Sequence, residues 1–241
     1  MLQARDRISI ANRILLSLPQ PTLQRLLPAL EAVELVRGRA IDRVDARVDH
    51  LYFVNRGMIS LVKTMQDGRM VEIGDIGIEG MTNPRAVFGL DQAVLESLVL
   101  IPGTALRIKC ETLRAEMMRD EAIGRLIQNY ARFAIGMLAQ IAACNRLHSL
   151  EARFCRWLLV AHDNALSDSF PLTHESLAMM LGVQRTGVSI TANLLRQAGL
   201  IDYSRSRVTI THREGLEEAA CECYRAIRAD LDRLFAGKKS P

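Results

Sequence analysis

Aromatic residues make up only 5% of the 241-residue chain, with a single tryptophan, and there are only five cysteines. Those cysteines (Cys110, Cys144, Cys155, Cys221 and Cys223) form no CxxC pair and no disulfide framework. Cys221 and Cys223 stand two apart on an expected helix, which points them to different faces. The five histidines are scattered, without an HxH or HxxxH pair. The expectation is therefore ordinary reduced thiols, no metal site and no cofactor. No Walker loop and no Ser/His/Asp grouping with recognisable context is present, so an enzyme is not expected. No apolar run approaches the ~18 residues of a membrane span. The N-terminal stretch MLQARDRISIANRILL mixes charged and polar residues into its apolar part and makes a poor signal peptide. A cytoplasmic protein without a membrane partner is expected.

What remains is an ordinary soluble balance, 49% hydrophobic and 24% charged, long enough for two modest domains or one large one. A net charge of +4 is too small to identify a nucleic-acid partner by itself, so the placement of basic residues must carry that question.

The most informative stretch is Leu172 to Thr211, LTHESLAMMLGVQRTGVSITANLLRQAGLIDYSRSRVTIT. Thr173 is a candidate N-cap for a helix from His174 to Leu181, and Gly182 breaks the pattern. A second helix runs from Gln184 to Gln197, with Val188, Ala192 and Leu195 at helical spacing and Gly199 placed to cap it. Leu200, Ile201 and Tyr203 then begin a strand, Ser204–Arg205–Ser206 can turn, and Val208 and Ile210 alternate back. Ala178, Gly182 and Val188 suit a close helix crossing, a tight turn and a buried anchor, as in a helix-turn-helix followed by a hairpin wing. Arg185, Arg196, Arg205 and Arg207 face a single acid, Asp202, between Gln184 and Thr211. An ordinary αα-hairpin is the alternative; the wing and the local charge favour binding to double-stranded DNA.

Earlier in the chain, residues 8 to 31 read as short helices built on Ile10, Ile14, Leu15 and Leu18, then Leu23, Leu26, Leu27 and Leu30. From Val33 to Lys109, short strands alternate with turn residues at Arg37–Gly38, Asn55–Arg56–Gly57, Gln66–Asp67–Gly68, Gly74–Asp75 and Pro102–Gly103. This predicts an antiparallel jelly roll. A cupin-type metalloenzyme shares that architecture but needs two or three inward histidines, and only His50 lies in the roll. Ile123, Ile127, Tyr130, Ala134, Met137, Ile141, Cys144 and His148 alternate four and three apart, and Leu126, Phe133 and Leu138 make a second apolar face. A helix with two apolar faces can pack on its own domain and on a second copy, so a homodimer is expected. Glu151 to His162 opens the DNA-binding part, Asn164 to Phe170 reads as a loop, and Arg213 to Phe235 as one closing helix.

Roll, long helix and winged helix-turn-helix in this order resemble the Crp/Fnr family of bacterial transcription regulators. The resemblance is carried by LYFVNRGMISLV with Gly74–Asp75 and by LAMMLGVQRTGVSITANLLRQAGLI. It implies an α+β chain: a cyclic-nucleotide-binding-like sensor domain at 1–120, a dimerisation helix at 121–148 and a winged helix-turn-helix at 149–241. It implies a homodimer whose interface includes Ile123, Ile127, Tyr130, Ala134, Met137 and Ile141, bound to an inverted-repeat operator. RNA polymerase and a small effector of unknown identity are further partners that the resemblance allows. Arg185 matches the family's base-contacting arginine; Gln184, Thr186 and Ser189 share its part of the helix. Thr173, His174, Arg205 and Arg207 are expected on phosphates. Thr186 and Ile190 depart from the residues common in the family, so the operator of the cAMP receptor should not transfer.

In the effector pocket, the resemblance points to Glu79, Arg85 and Gln140. Glu79 is flanked as Ile78–Glu79–Gly80, the expected phosphate-binding arginine falls among Ala93 to Glu96, and the adenine-reading pair falls near Ala139–Gln140. An anion buried without a cation costs several kcal/mol, so tight cAMP binding is not expected. A cyclic-nucleotide-dependent regulator of the same family stays open as the alternative.

Overall fold

The computed structural model describes residues 9–236. The chain enters through Asn12, whose side chain caps helix α1 (Arg13–Leu16) by accepting from the amides of Ile14 and Leu15. The same side chain donates to the carbonyls of Val54 and Gly80 at 2.9 and 2.8 Å, which fastens this short helix to the roll. Helix α2 (Gln20–Leu26) tightens into a 3-10 turn at Leu27–Ala29, and strand β1 (Glu31–Leu35) follows. The α-helix therefore stops at Leu26, two residues before Pro28, earlier than the leucine spacing suggests.

The roll adds β2 (Ala40–Asp42), β3 (His50–Thr64), β4 (Met70–Ile76) and β5 (Glu96–Lys109). All pairings are antiparallel, in the order β1-β5-β3-β4, with β2 also on β5. Asn55–Arg56–Gly57 and Pro102–Gly103, expected as turns, lie inside the two longest strands. There they oppose one another across register shifts around Arg56 and Met58. Gly57 has φ +91, and a Cβ on it would stand 2.6 Å from the carbonyl oxygen of Ile101. A side chain on Gly103 would strike the carbonyl of Arg56. These glycines bend two paired strands together rather than ending them. Gly74–Asp75 is likewise within β4, where a Cβ on Gly74 would lie 2.8 Å from Leu138 Cδ2.

That close approach seats the long helix on the sheet. Helix α3 (Cys110–Arg119) stops at Asp120, which caps helix α4 (Glu121–Leu147) by accepting from the Ala122 amide. The Thr22 hydroxyl, and then Arg25, holds the Asp120 carboxyl down to about 2. The proposed dimer seam points inward: Ile123, Ile127, Tyr130, Met137 and Ile141 are buried within the same chain, and Ala134 half-buried. Tyr130 and its neighbours close the roll's core with Phe53, Met81 and Leu106. The hydrophobic pattern correctly marks a buried stripe, but the covering surface is the chain's own.

Helix α5 (Leu150–Ala165) begins after the N-cap Ser149 and packs on the outside of the roll. One apolar cluster runs from Met58, Val62, Leu100 and Ile101 of the sheet through Phe154, Trp157 and Leu158 into the winged unit. Trp157 Nε1 donates to Glu72 Oε1 at 2.9 Å, Ser60 donates to the other oxygen, and the Arg56 guanidinium donates to the Ala165 carbonyl at 3.3 Å. Burial, and then Asp75, pushes the Glu72 carboxyl up to about 8. The closing segment is two helices, α8 (Arg213–Ala219) and α9 (Cys223–Ala236). Cys221 lies in the break and Cys223 at the start of α9. The helical phase expected to separate them therefore does not apply, and both are buried beside Cys144. Helix α9 reaches α1, where Arg13 stacks over Phe235 at 4.3 Å and pairs with Asp232 at 3.6 Å.

Candidate DNA interface and effector cavity

Helix α6 (His174–Leu181) starts because the Thr173 hydroxyl accepts from the Ser176 amide at 3.0 Å. It ends at Gly182, φ +65, whose left-handed backbone turns the chain within a few residues into α7 (Arg185–Gln197). Buried Val188, Thr191, Ala192 and Leu195 hold α7 in place, and Ala178 is buried on α6. Gln184, Arg185 and Thr186 are consequently presented to solvent on the first turn of α7. Beyond them Ile190 is 63% exposed and Leu194 50% exposed. Ile190 follows Thr186 by four residues and Leu194 follows by four more, so the outward face of α7 carries an apolar edge beside its polar start. Such a face offers donors for base edges and apolar contact for a thymine methyl.

The wing is β7 (Ile201–Ser204) and β8 (Arg207–Ile210), joined by Arg205 and Ser206 with φ +46 and +63. Consecutive left-handed residues give the tight two-residue turn whose twist matches a hairpin. A third strand, β6 (Ser169–Pro171), pairs with β8, so the expected loop from Asn164 to Phe170 ends in sheet. Arg205 and Arg207 are exposed, and Arg207 also donates to the Ser169 carbonyl at 3.0 Å.

Thr173, His174 and Ser189 have interior partners. His174 Nδ1 lies 2.9 Å from Ser189 Oγ, and its ring packs on Tyr203 at 4.4 Å. Burial, and then Arg185, lowers the His174 pKa. Tyr203 in turn donates to the Leu172 carbonyl at 2.6 Å. This chain ties α6, α7 and the wing together, so His174 and Ser189 position the surface that Gln184, Arg185 and Thr186 present.

Glu79, Arg85 and Gln140 are not brought together. Arg85 is exposed on a 3-10 turn at Pro84–Phe88, and Gln140 donates to the Cys223 thiol at 3.0 Å. Glu79 borders a cavity of about 310 Å³ lined by Arg13, Asp75, Phe133, Asp163, Tyr224 and Arg228 among others. Burial, and then Asp75, pushes Glu79 up to about 7. Asp163 already accepts from Arg213 at 2.8 Å, from Tyr224 at 3.0 Å and from Arg228 at 2.5 Å. The two cations at this cavity, Arg13 and Arg228, are paired with Asp232 and Asp163, and three acids (Asp75, Glu79 and Asp163) line the space. A sequence window could not reveal this set, because it joins β4, α5 and α9 across more than 140 residues of chain.

Residues 152–219 match the Crp-like helix-turn-helix domain, from α5 through α8. Solved structures with a similar fold include a Eubacterium rectale protein described as a Crp/Fnr-family transcriptional regulator. It is 16% identical with a TM-score of 0.67, over 87% of this chain and 98% of that one. FixK2 from Bradyrhizobium japonicum is 16% identical with a TM-score of 0.66, over 80% and 98% of the two chains. A CRP-family transcriptional regulator from Thermus thermophilus is 21% identical with a TM-score of 0.65, over 78% and 96%. No curated protein matches the sequence. Among the described residues, no helix is long and apolar enough to cross a membrane. Residues 152–219 are a Crp-like helix-turn-helix domain, and the chain as a whole has the fold of Crp/Fnr-type transcription regulators.

Proposed function

We propose that the protein is a homodimeric regulator of transcription that reads an inverted-repeat operator and does not depend on cAMP. The observation that carries the reading is the exposed first turn of α7, with Gln184, Arg185 and Thr186 outward on a helix anchored by Val188 and Leu195. Arg185 is the base-reading residue, through paired donation to guanine O6 and N7. Arg205 and Arg207 serve the phosphates. Thr173, His174 and Ser189 hold the surface.

For the homodimer, the favoured surface is the outward side of α4. Gln128, Arg132, Ile135, Ala139, Ala142 and Arg146 are exposed or half-buried there and again alternate four and three apart. Ile135 is 69% exposed, and the small Ala139 and Ala142 would let a second α4 approach closely. Two such chains would set their recognition helices on successive major-groove faces, about 34 Å apart.

A cyclic phosphate in the cavity beside Glu79 would meet three acids, and the arginines there are already paired with Asp232 and Asp163, which argues against cAMP. Calorimetry with cAMP should therefore show no saturable heat at micromolar concentrations; a micromolar affinity would restore the cyclic-nucleotide reading. A roll-based metalloenzyme is disfavoured because, among the described residues, the only clustered metal-type ligands lie outside the roll.

Selection from a random DNA pool by the purified protein, without added small molecule, tests the function directly. An enriched inverted repeat is expected. Enrichment only after an effector is supplied would make the roll a gate, and failure in every condition would reject the regulator reading.

A further inference from the structure

Cys144 and His148 stand one turn apart at the end of α4, and both face Cys221, in the break between α8 and α9, and Cys223, at the start of α9. Their four ligand atoms all lie within 4.8 Å of one another. Cys144 Sγ is 3.5 Å from Cys221 Sγ, and Cys223 Sγ is 3.5 Å from His148 Nδ1. A tetrahedral zinc with Zn–S of about 2.3 Å and Zn–N of about 2.05 Å has edges of about 3.8 Å between sulfurs and about 3.6 Å from sulfur to nitrogen. These two separations are within about 0.3 Å of those edges, and the remaining ligand pairs fall within 4.8 Å.

We infer that Cys144, His148, Cys221 and Cys223 form a mononuclear Cys3His zinc site that fastens α9 to the end of α4. The site stands independently of the DNA-binding reading.

Three further observations support it. The ring nitrogen of His148 that faces away from the thiols, Nε2, lies 3.2 Å from Glu222 Oε1. A carboxylate on the far nitrogen orients a metal-bound imidazole and fixes its tautomer. Gln140 Nε2 donates to Cys223 Sγ at 3.0 Å, as an outer hydrogen bond to a ligand sulfur. Arg153, only 8% exposed, donates to the Leu181 carbonyl and lies within electrostatic reach of Cys144 and Cys221, and among the described residues it is in no ion pair with a carboxylate. Its Nε has no partner. A buried guanidinium needs a counter-charge, and three thiolates, a neutral imidazole and Zn²⁺ sum to −1 beside it.

The ligand chemistry selects the metal. Thiolate with imidazole in a tetrahedron suits zinc, and four protein ligands leave no open position, which makes the site structural. A [4Fe–4S] cluster places its four ligands on separate irons and a [2Fe–2S] cluster divides them between two, so in either case some ligand atoms stand farther apart than 4.8 Å. Binding converts three thiols to thiolates and releases their protons to solvent, with no redox change.

The test uses the full chain purified under reducing conditions, with elemental analysis followed by replacement with Co²⁺. Expected are about one zinc per chain and, with cobalt, the intense visible bands of tetrahedral thiolate coordination. Cys144→Ser and Cys223→Ser should each lose or shift these bands, whereas Cys110→Ser and Cys155→Ser should keep them. A wild-type protein that holds neither metal after anaerobic reconstitution overturns the site, whatever the variants do. Unchanged cobalt bands in both Cys144→Ser and Cys223→Ser would also overturn it. So would a Cys144–Cys221 disulfide found by mass spectrometry in protein kept reduced.

Discussion

The indole of Trp157 donates to the Glu72 carboxylate at 2.9 Å across the contact between the roll and the first helix of the DNA-binding unit. Ser60 donates to the same carboxylate, and Asp75 and Arg156 complete a buried group at this contact. Burial raises Glu72 from 4.5 to about 8 and Asp75 from 3.8 to about 6, with Arg156 opposing the shift at Asp75.

Raised carboxylate pKa values mean that the folded chain holds more protons than the unfolded one between the two values. These two groups therefore stabilise the fold most below about pH 4, and their contribution is lost progressively as pH rises through about 6 and about 8. Glu72→Gln should flatten this dependence and raise stability at pH 8. The lone tryptophan reports the transition, so urea melts followed by its fluorescence at pH 5 and pH 8 measure both effects. Equal midpoints for the wild-type chain at the two pH values would refute the assignment.

Arg185→Ala should weaken binding to the selected operator by about 5- to 150-fold, corresponding to about 1–3 kcal/mol. Binding to unrelated DNA should change little. Titrations on both DNAs at one salt concentration decide the matter, since equal losses would make Arg185 a phosphate contact.

The two sides of α4 should respond differently to charge. Ile135→Glu with Ala139→Glu should give folded monomers in sedimentation, because neither side chain is buried in the chain's own core. Met137→Glu buries a charge without a partner and should unfold the chain or cost several kcal/mol. Dimers that survive the first pair of changes would exclude this face.

Gly57→Ala and Gly103→Ala should each destabilise the roll by about 1–3 kcal/mol, the first through its left-handed backbone as well as the clash. The combined variant should cost less than the sum, because both changes strain one bend. Strict additivity in denaturant melts would show that the two positions act separately.

The helix-turn-helix and wing were legible because their signals are local: a cap at Thr173, a left-handed glycine at 182 and a basic hairpin at 205–207. The period of α4 was legible too, but periodicity says only that a face is covered. Whether Tyr130 and Met137 meet their own roll or a second copy depends on a sheet whose strands lie from about 20 to about 80 residues earlier in the chain. Gly57 and Gly103 read as turns because a glycine that ends a strand and one that bends it look alike in sequence. The Cys/His group was missed for a related reason. Cys144 and His148 do show one-face spacing, but their partners lie more than seventy residues on, at a helix break that composition did not mark. For the effector pocket, matching Glu79, Arg85 and Gln140 by resemblance failed to assemble a site, since the three side chains have unrelated surroundings.

Only His148 and Ser149 separate α4 from α5, and both are extended, with ψ near 152 and 157. Two residues can span at most about 7 Å, so this tether leaves the reading head no room to slide away from the rod that carries it. Were the core between α5 and the roll to loosen, the unit would swivel about that tether, and a small turn there would become a wide sweep at the far end of α7. On the proposed function, a signal passed from the roll to bound DNA is therefore expected as a change of angle.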